Sequence, residues 1–348
     1  MHHAEMVLGA VATGMIVFVA YRLSRRRRCN HSSSAPLAFA SCAVRSFQGY
    51  KLYVSLPLDY STNEAKTRRY PMFLVLDAEP YLFPLMTIVA RTNHFFARSF
   101  WHPDAIVIGI VADLEHSCLN EATGHLDVFK FWNSMRPTRA RDYLPTSAES
   151  PWGYPGAPSL VGVAGQADDF AAWLVDCLLP MLDADYRTMG DEARALVGKS
   201  FGGSGVASCM IHQRCAAHFS EYVMCDPSIS WDEGAWFRIE AERRAAFEEQ
   251  RPPPTRGASA PHAAAVYCCE SGAVARDAVF DARAMKAALD SRKVFAVVDQ
   301  GIGGIADAVK GEVTIEKMPA ETHGSASYPF AHRAMEFCKQ RWERFEKA

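Results

Sequence analysis

The stretch "RALVGKSFGGSGVAS", residues 194–208, decides how this chain is read. Ser200 stands between Gly198 and Gly202, directly after an apolar run and directly before small helix-forming residues. Three fixed positions out of five also describe a plain glycine turn, so the flanks must discriminate. A strand that enters the turn and a helix that leaves it place the serine in a strained conformation, with its hydroxyl lifted clear of a sheet. Residues two before and two after must then be small. The helix N-terminus and the amide of Phe201 face any negative charge that develops beside the serine. The pattern predicts Ser200 as a nucleophile.

A serine hydroxyl is inert without a base. His212 and His218 lie too near the serine in the chain to swing back onto it, and His262 follows a run of prolines in a polar loop. His332 opens the last helical stretch and reads as a surface residue. His323, in "PAETHGSASYPF", lies in a loop after the last strands and before the last helix. The chain order serine, acid, histidine requires the base there.

Composition agrees with an ordinary globular protein. The 348 residues are 49% apolar and 22% charged, which provides a sizeable core and excludes a disordered chain. Ten cysteines show no CxxC pair and no metal-ligand spacing, so buried thiols in a reducing compartment are expected rather than a disulfide framework. Strands are predicted at 50–57, 70–77, 104–112, 194–198, 221–225, 263–270 and 293–299, and helices at 168–186, 202–215, 281–292 and 330–347. That alternation points to an α/β fold with a mostly parallel central sheet flanked by helices. Residues 113–165 read as loops over one edge of the sheet. Residues 233–250 read as a charged surface helix, with Glu240 spaced to pair with Arg243 and Arg244.

The N-terminus has a different character. Met6 to Tyr21 carries no charge, and Arg22 and Arg25 to Arg28 follow at once. Sixteen helical residues rise about 24 Å, at the short end of a membrane span. Charges after the apolar run favour an anchor with the main body in the cytoplasm over a cleaved signal, with a secretory or organellar targeting segment as the alternative. The expected organisation is an anchor or targeting segment over 1–30, a linker over 31–44 and a catalytic domain over 45–348. Beyond the anchor, 32 basic residues face 38 acidic ones, a poor balance for binding nucleic acid.

Seven blocks in order carry a family likeness: "LYVSLPLDY" (52–60), "YPMFLVLDAEP" (70–80), "RDYLP" (141–145), "LLPMLDADYRT" (178–188), "VGKSFGGSG" (197–205), "DPSISWD" (226–232) and "ETHGS" (321–325). On these the chain resembles the esterase D family of α/β-hydrolases, in the branch that contains siderophore (ferric-enterobactin) esterases. The resemblance implies the α/β-hydrolase fold, Ser200 as nucleophile and His323 as general base. It also implies an oxyanion hole from the amides of Phe201 and of Ala78 or Glu79. Arg141 falls in a pocket-lining block, where a substrate contact and a structural salt bridge are equally good accounts. The acid is where the chain departs from the family. An ungapped reading puts Val274 where the acid belongs, leaving Glu270 as the first candidate, then Asp226, then Asp277, or a Ser–His dyad. "LDAEP" departs from the usual Asp-Gly after the third strand. The expected activity is hydrolysis of a small-molecule carboxylic ester through an acyl-enzyme, with neither metal nor organic cofactor. Acyl transfer within the same fold and a non-catalytic membrane-tethered binding protein are the alternatives.

Overall fold

Strands that are apolar on both faces are stable only when helices cover both sides of the sheet. The computed structural model describes residues 42–78, 82–92, 104–113, 128–149, 158–250, 265–271, 313–318 and 321–346. The expected anchor over 1–30, His262, Asp277, and the strand and helix expected within 281–299 lie outside the described residues.

Among the described residues eight strands form one sheet: β1 (Cys42–Phe47), β2 (Tyr50–Ser55), β3 (Met72–Leu76), β4 (Ile106–Ala112), β5 (Arg194–Lys199), β6 (Glu221–Cys225), β7 (Ala265–Ser271) and β8 (Val313–Met318). Their spatial order is β1-β2-β4-β3-β5-β6-β7-β8. β2 runs antiparallel to β1 and β4, and every other neighbouring pair is parallel. From β3 the chain first moves outward to β4 and then returns to the far side of β3 as β5. Strand order reverses there, and in open parallel sheets the crevice for a ligand opens at the carboxyl ends of the strands flanking such a reversal.

Alternation along each strand divides the core in two. Met72, Leu74 and Leu76 join Leu196 and Met224 on one face, under the end of α2 (Val128–Tyr143), α3 (Ala167–Trp173), α4 (Leu179–Asp185), α5 (Phe201–Ile211) and the start of α6 (Trp231–Gln250). Phe73 and Val75 join Val197 and Val223 on the other, under α1 (Leu82–Thr92) and α7 (Ser327–Glu346). A π turn, Leu174–Leu178, separates α3 from α4, so the helix expected over 168–186 is continuous but changes pitch midway. The eight cysteines in the described residues are all free, and six of them are buried.

Several expectations are revised. The end of the segment read as a linker to residue 44 is already strand, since β1 runs from Cys42, and Gln48 and Gly49, with φ of 48° and 85°, close a two-residue hairpin between β1 and β2. α2 occupies part of the segment read as loops. α6 is not a solvated helix at its start: Trp231 and Trp236 are buried, Glu240 is 2% exposed, and Arg243 pairs with Asp168 instead of Glu240. Asp232, Glu233 and Gly234 all have positive φ and kink it. Among the described residues no helix is long and apolar enough to cross a membrane.

Buried charge ties the amino ends of the strands to the helices. Arg194, 1% exposed, opens β5 and pairs with Asp183 and Asp191 at 2.7 Å each. Glu221 opens β6, fully buried, and accepts from the Trp342 indole at 2.7 Å and from Arg341 at 3.3 Å, both on α7. Burial pushes the Glu221 carboxyl up to about 7, further than the hydrogen bonds from Ser220, Trp342 and Arg341 pull it back. A carboxyl raised in the folded state binds its proton more tightly there than in the unfolded chain. Its contribution is therefore full below the unfolded value near 4.5 and is lost as pH rises to about 7. Unfolding free energy should fall across that window by up to about 1.4 kcal/mol per pH unit. Chemical denaturation of Glu221→Gln should show that slope flattened, and an unchanged slope would contradict the assignment.

Candidate active site

Lys199 ends β5, and the next residue turns sharply. Ser200 has φ 55° and ψ −120°, a conformation that costs a non-glycine residue on the order of 1–3 kcal/mol. Its amide is donated to the Cys225 carbonyl at 3.0 Å, and its own carbonyl accepts from the amides of Ser204 and Ser228 at 3.0 and 3.2 Å. A Cβ on Gly198 would collide with the Gly202 carbonyl, so the turn excludes any side chain there. The strand, the strained serine and the helix that follows are as the sequence predicts.

Asp226 stands at the same level on the neighbouring strand, one residue past β6, also with positive φ (41°). Its amide bonds the Cys269 carbonyl at 3.0 Å, which aims the side chain across the carboxyl edge of the sheet. One carboxylate oxygen accepts from the Ser271 amide at 2.7 Å, and the other lies 3.1 Å from Nδ1 of His323. Asp226 is fully buried, whereas the His323 ring is about half exposed. Burial alone would raise the Asp226 carboxyl. The hydrogen bonds from His323 and Ser271 outweigh it and hold the carboxyl below its usual range, so Asp226 is ionised at neutral pH. With Nδ1 turned to the carboxylate, Nε2 is the ring nitrogen left for other chemistry.

The carboxylate that meets His323 is thus Asp226, ranked second in the sequence behind Glu270. A left-handed residue just beyond a strand end turns toward the loop that carries His323. Glu270 itself pairs by backbone register with Lys317. Asp277 is outside the described residues.

The oxyanion side also differs from expectation. Phe201 is the first residue of α5, where the helix offers its amide no acceptor. The Ala78 amide, by contrast, is donated to the Ile110 carbonyl at 3.1 Å, because the parallel ladder between β3 and β4 continues one step beyond Leu76. An amide so committed does not stand open to an oxyanion, and Glu79 lies outside the described residues. Asp77, at φ 52°, instead directs its carboxylate under α5, where Oδ2 accepts from the Gly202 amide at 3.1 Å and from Arg139 at 2.6 Å. The Arg139 guanidinium lies 5.1 Å from the Phe201 ring centre and 4.9 Å from that of Trp132. Phe201 meets Trp231 edge-on at 6.0 Å. Sequence reading missed Arg139 because its segment was taken for loop.

Arg141, two positions on and therefore on a different face of α2, holds Asp142 through Nε at 2.6 Å and Nη2 at 3.1 Å. Nη2 also lies 3.4 Å from the Tyr50 hydroxyl, which donates to Asp142 at 3.0 Å. The salt-bridge account of Arg141 is the one this geometry fits. Among the described residues no cluster of three His, Cys, Asp or Glu could hold a metal ion.

The same fold occurs in solved structures. Siderophore hydrolase EstA from Aspergillus nidulans superimposes with a TM-score of 0.58 at 16% identity, covering 90% of this chain and 99% of that one. The BES protein from Bacillus cereus gives 0.57 at 14%, covering 89% and 99%. Siderophore hydrolase EstB from Aspergillus nidulans gives 0.56 at 18%, covering 89% and 98%. These likenesses establish the α/β-hydrolase fold over the body of the chain. No family model and no curated protein matches the sequence.

The two arginines make a direct test. Arg141→Ala leaves the buried Asp142 carboxyl with the Tyr50 hydroxyl but without its cation and should cost about 1–3 kcal/mol of stability, with ester turnover per folded molecule unchanged. Arg139→Ala, measured beside it on one ester, should lower kcat/KM at least tenfold. The reverse ranking would return the pocket to Arg141.

Proposed function

We propose that the protein is a serine hydrolase of small-molecule carboxylic esters that works through an acyl-enzyme. One observation carries the reading: a buried, ionised Asp226 bonded to His323 Nδ1, on the strand next to the one that ends in the left-handed Ser200. In this reading Asp226 fixes the tautomer that leaves Nε2 as the base and stabilises the imidazolium that forms. Nε2 takes the proton of Ser200 Oγ as the oxygen attacks the ester carbonyl, and the Phe201 amide at the head of α5 receives the oxyanion. Collapse of the tetrahedral intermediate expels the alcohol with the proton from His323. Water, deprotonated by His323, then releases the acid and restores the serine. Arg139, held against Asp77 and Phe201, lines the acyl side of the pocket.

The sequence blocks that resemble siderophore esterases, and the fold shared with proteins named siderophore hydrolases, support an ester of that general kind as substrate. The apolar stretch before residue 22 supports attachment of this hydrolase to a membrane. If so, the full-length chain should stay in the membrane fraction through a carbonate wash, and recovery of a soluble chain shortened by about 30 residues would instead identify a cleaved signal.

Hydrolysis of a chromogenic short-chain ester should fall by several orders of magnitude in Ser200→Ala with the fold intact. Asp226→Asn should lose about 10²- to 10⁴-fold in kcat, while Glu270→Gln stays near wild type. A folded Ser200→Ala protein that keeps a tenth of its activity would remove the reading. Transfer of the acyl group to added alcohol in preference to water would make the enzyme an acyltransferase.

A further inference from the structure

The residue between Gly198 and the nucleophile is Lys199, and its ammonium reaches across to the histidine loop. Nζ donates to the His323 carbonyl, to the Ser327 hydroxyl at 2.8 Å and to the Gly324 carbonyl at 3.5 Å. Three donors meet three acceptors, which is the full capacity of an ammonium group. All three acceptors belong to the turn that carries His323 into α7, and Ser327 is the first residue of that helix. Lys199 is itself fixed at its backbone, as the last residue of β5, in register with Cys225 of β6.

Elsewhere on this turn Ala326 is buried in the core beside the sheet, and the Glu321 amide bonds the Met318 carbonyl at the end of β8 at 3.0 Å. Thr322 and Ser325 bond each other, through the Thr322 amide to Ser325 Oγ at 2.8 Å and the Ser325 amide to Thr322 Oγ1 at 3.1 Å. Those bonds shape the turn locally but do not dock it. The side chain of His323 is half exposed, so packing does not hold it as it would a core residue. At His323 itself, Asp226 holds the imidazole and Lys199 holds the backbone.

We propose that Lys199 is a positioning residue for the general base: its ammonium clamps the His323 turn to the strand that bears the nucleophile. The inference rests on the serine-hydrolase reading for its kinetic consequence, but not for its structural one. Because Lys199 and Ser200 are adjacent, base and nucleophile are referenced to the same two backbone units. Burial lowers the ammonium from its usual value, while the Asp226 carboxylate works the other way. Misplacing a reacting group by about 1 Å costs on the order of 10²-fold in rate.

Lys199→Met keeps the stem and removes the donors. It should lower kcat by about 10- to 100-fold with KM unchanged, and Lys199→Arg should recover part of the loss. An activity-free readout is the downfield proton resonance between His323 Nδ1 and Asp226 in ¹⁵N-histidine-labelled protein, sharp in the wild type and broadened in Lys199→Met at equal melting temperature. Ser327→Ala removes one acceptor only and should give an intermediate change, which serves if Lys199→Met does not fold. An unchanged resonance and unchanged kcat in any folded variant of this pair would overturn the clamp. So would a lowered melting temperature with kcat per folded molecule intact. If the resonance responds as expected in a protein inert toward esters, the clamp stands and the hydrolase reading falls.

Discussion

The molecule depends on a single backbone constraint at the carboxyl edge of its sheet. Three strands, β3, β5 and β6, lie side by side, and each ends in a non-glycine residue with positive φ: Asp77, Ser200 and Asp226. In each case the ladder runs one step too far. The amides of Ala78, Ser200 and Asp226 bond the carbonyls of Ile110, Cys225 and Cys269 on adjacent strands. The strand cannot simply continue into the helix or loop that follows, so the backbone reverses within one residue. Each reversal costs conformational energy, and the hydrogen bonds of the surrounding sheet hold it in place. The result is that two carboxylates and a hydroxyl leave the sheet at one level, pointing over its rim.

The opposite rim has another job. Arg194 and Glu221 sit at the amino ends of β5 and β6, buried, and reach α4 and α7 respectively. Their bonds fix how helices on both faces meet the sheet, far from the crevice. Charge at the amino edge therefore sets the packing, while charge at the carboxyl edge is arranged around the strained serine.

How much of this the sequence discloses follows from which interactions are local. The central strands are legible because each is a continuous apolar run, and Ser200 because strand, glycines and helix are contiguous. His323 is legible by chain order. The acid is not, because nothing within "MCDPSIS" says that Asp226 turns left-handed; that depends on register with Cys269, more than forty residues away. β8 escapes because the consecutive Glu316 and Lys317 break the alternation of "VTIEKM" and it is not a continuous apolar run. β1 escapes because its hairpin turn places Gln48, not asparagine, at positive φ. Arg139 and Arg141 are separated only once 128–143 is known to be a helix.

The pairing of Asp77 with Arg139 has a consequence for the electric field at this rim. Two opposite charges 2.6 Å apart, each largely shielded from water, form a fixed dipole with no net charge. The field of a dipole falls off faster with distance than that of a lone ion, and beyond a Debye length of about 8 Å in physiological salt little of it survives. Such a pair does not gather anions or cations from solution. It acts only at contact, on the orientation of whatever polar group lies beside it, so this corner of the carboxyl edge exerts no long-range pull on ions in solution.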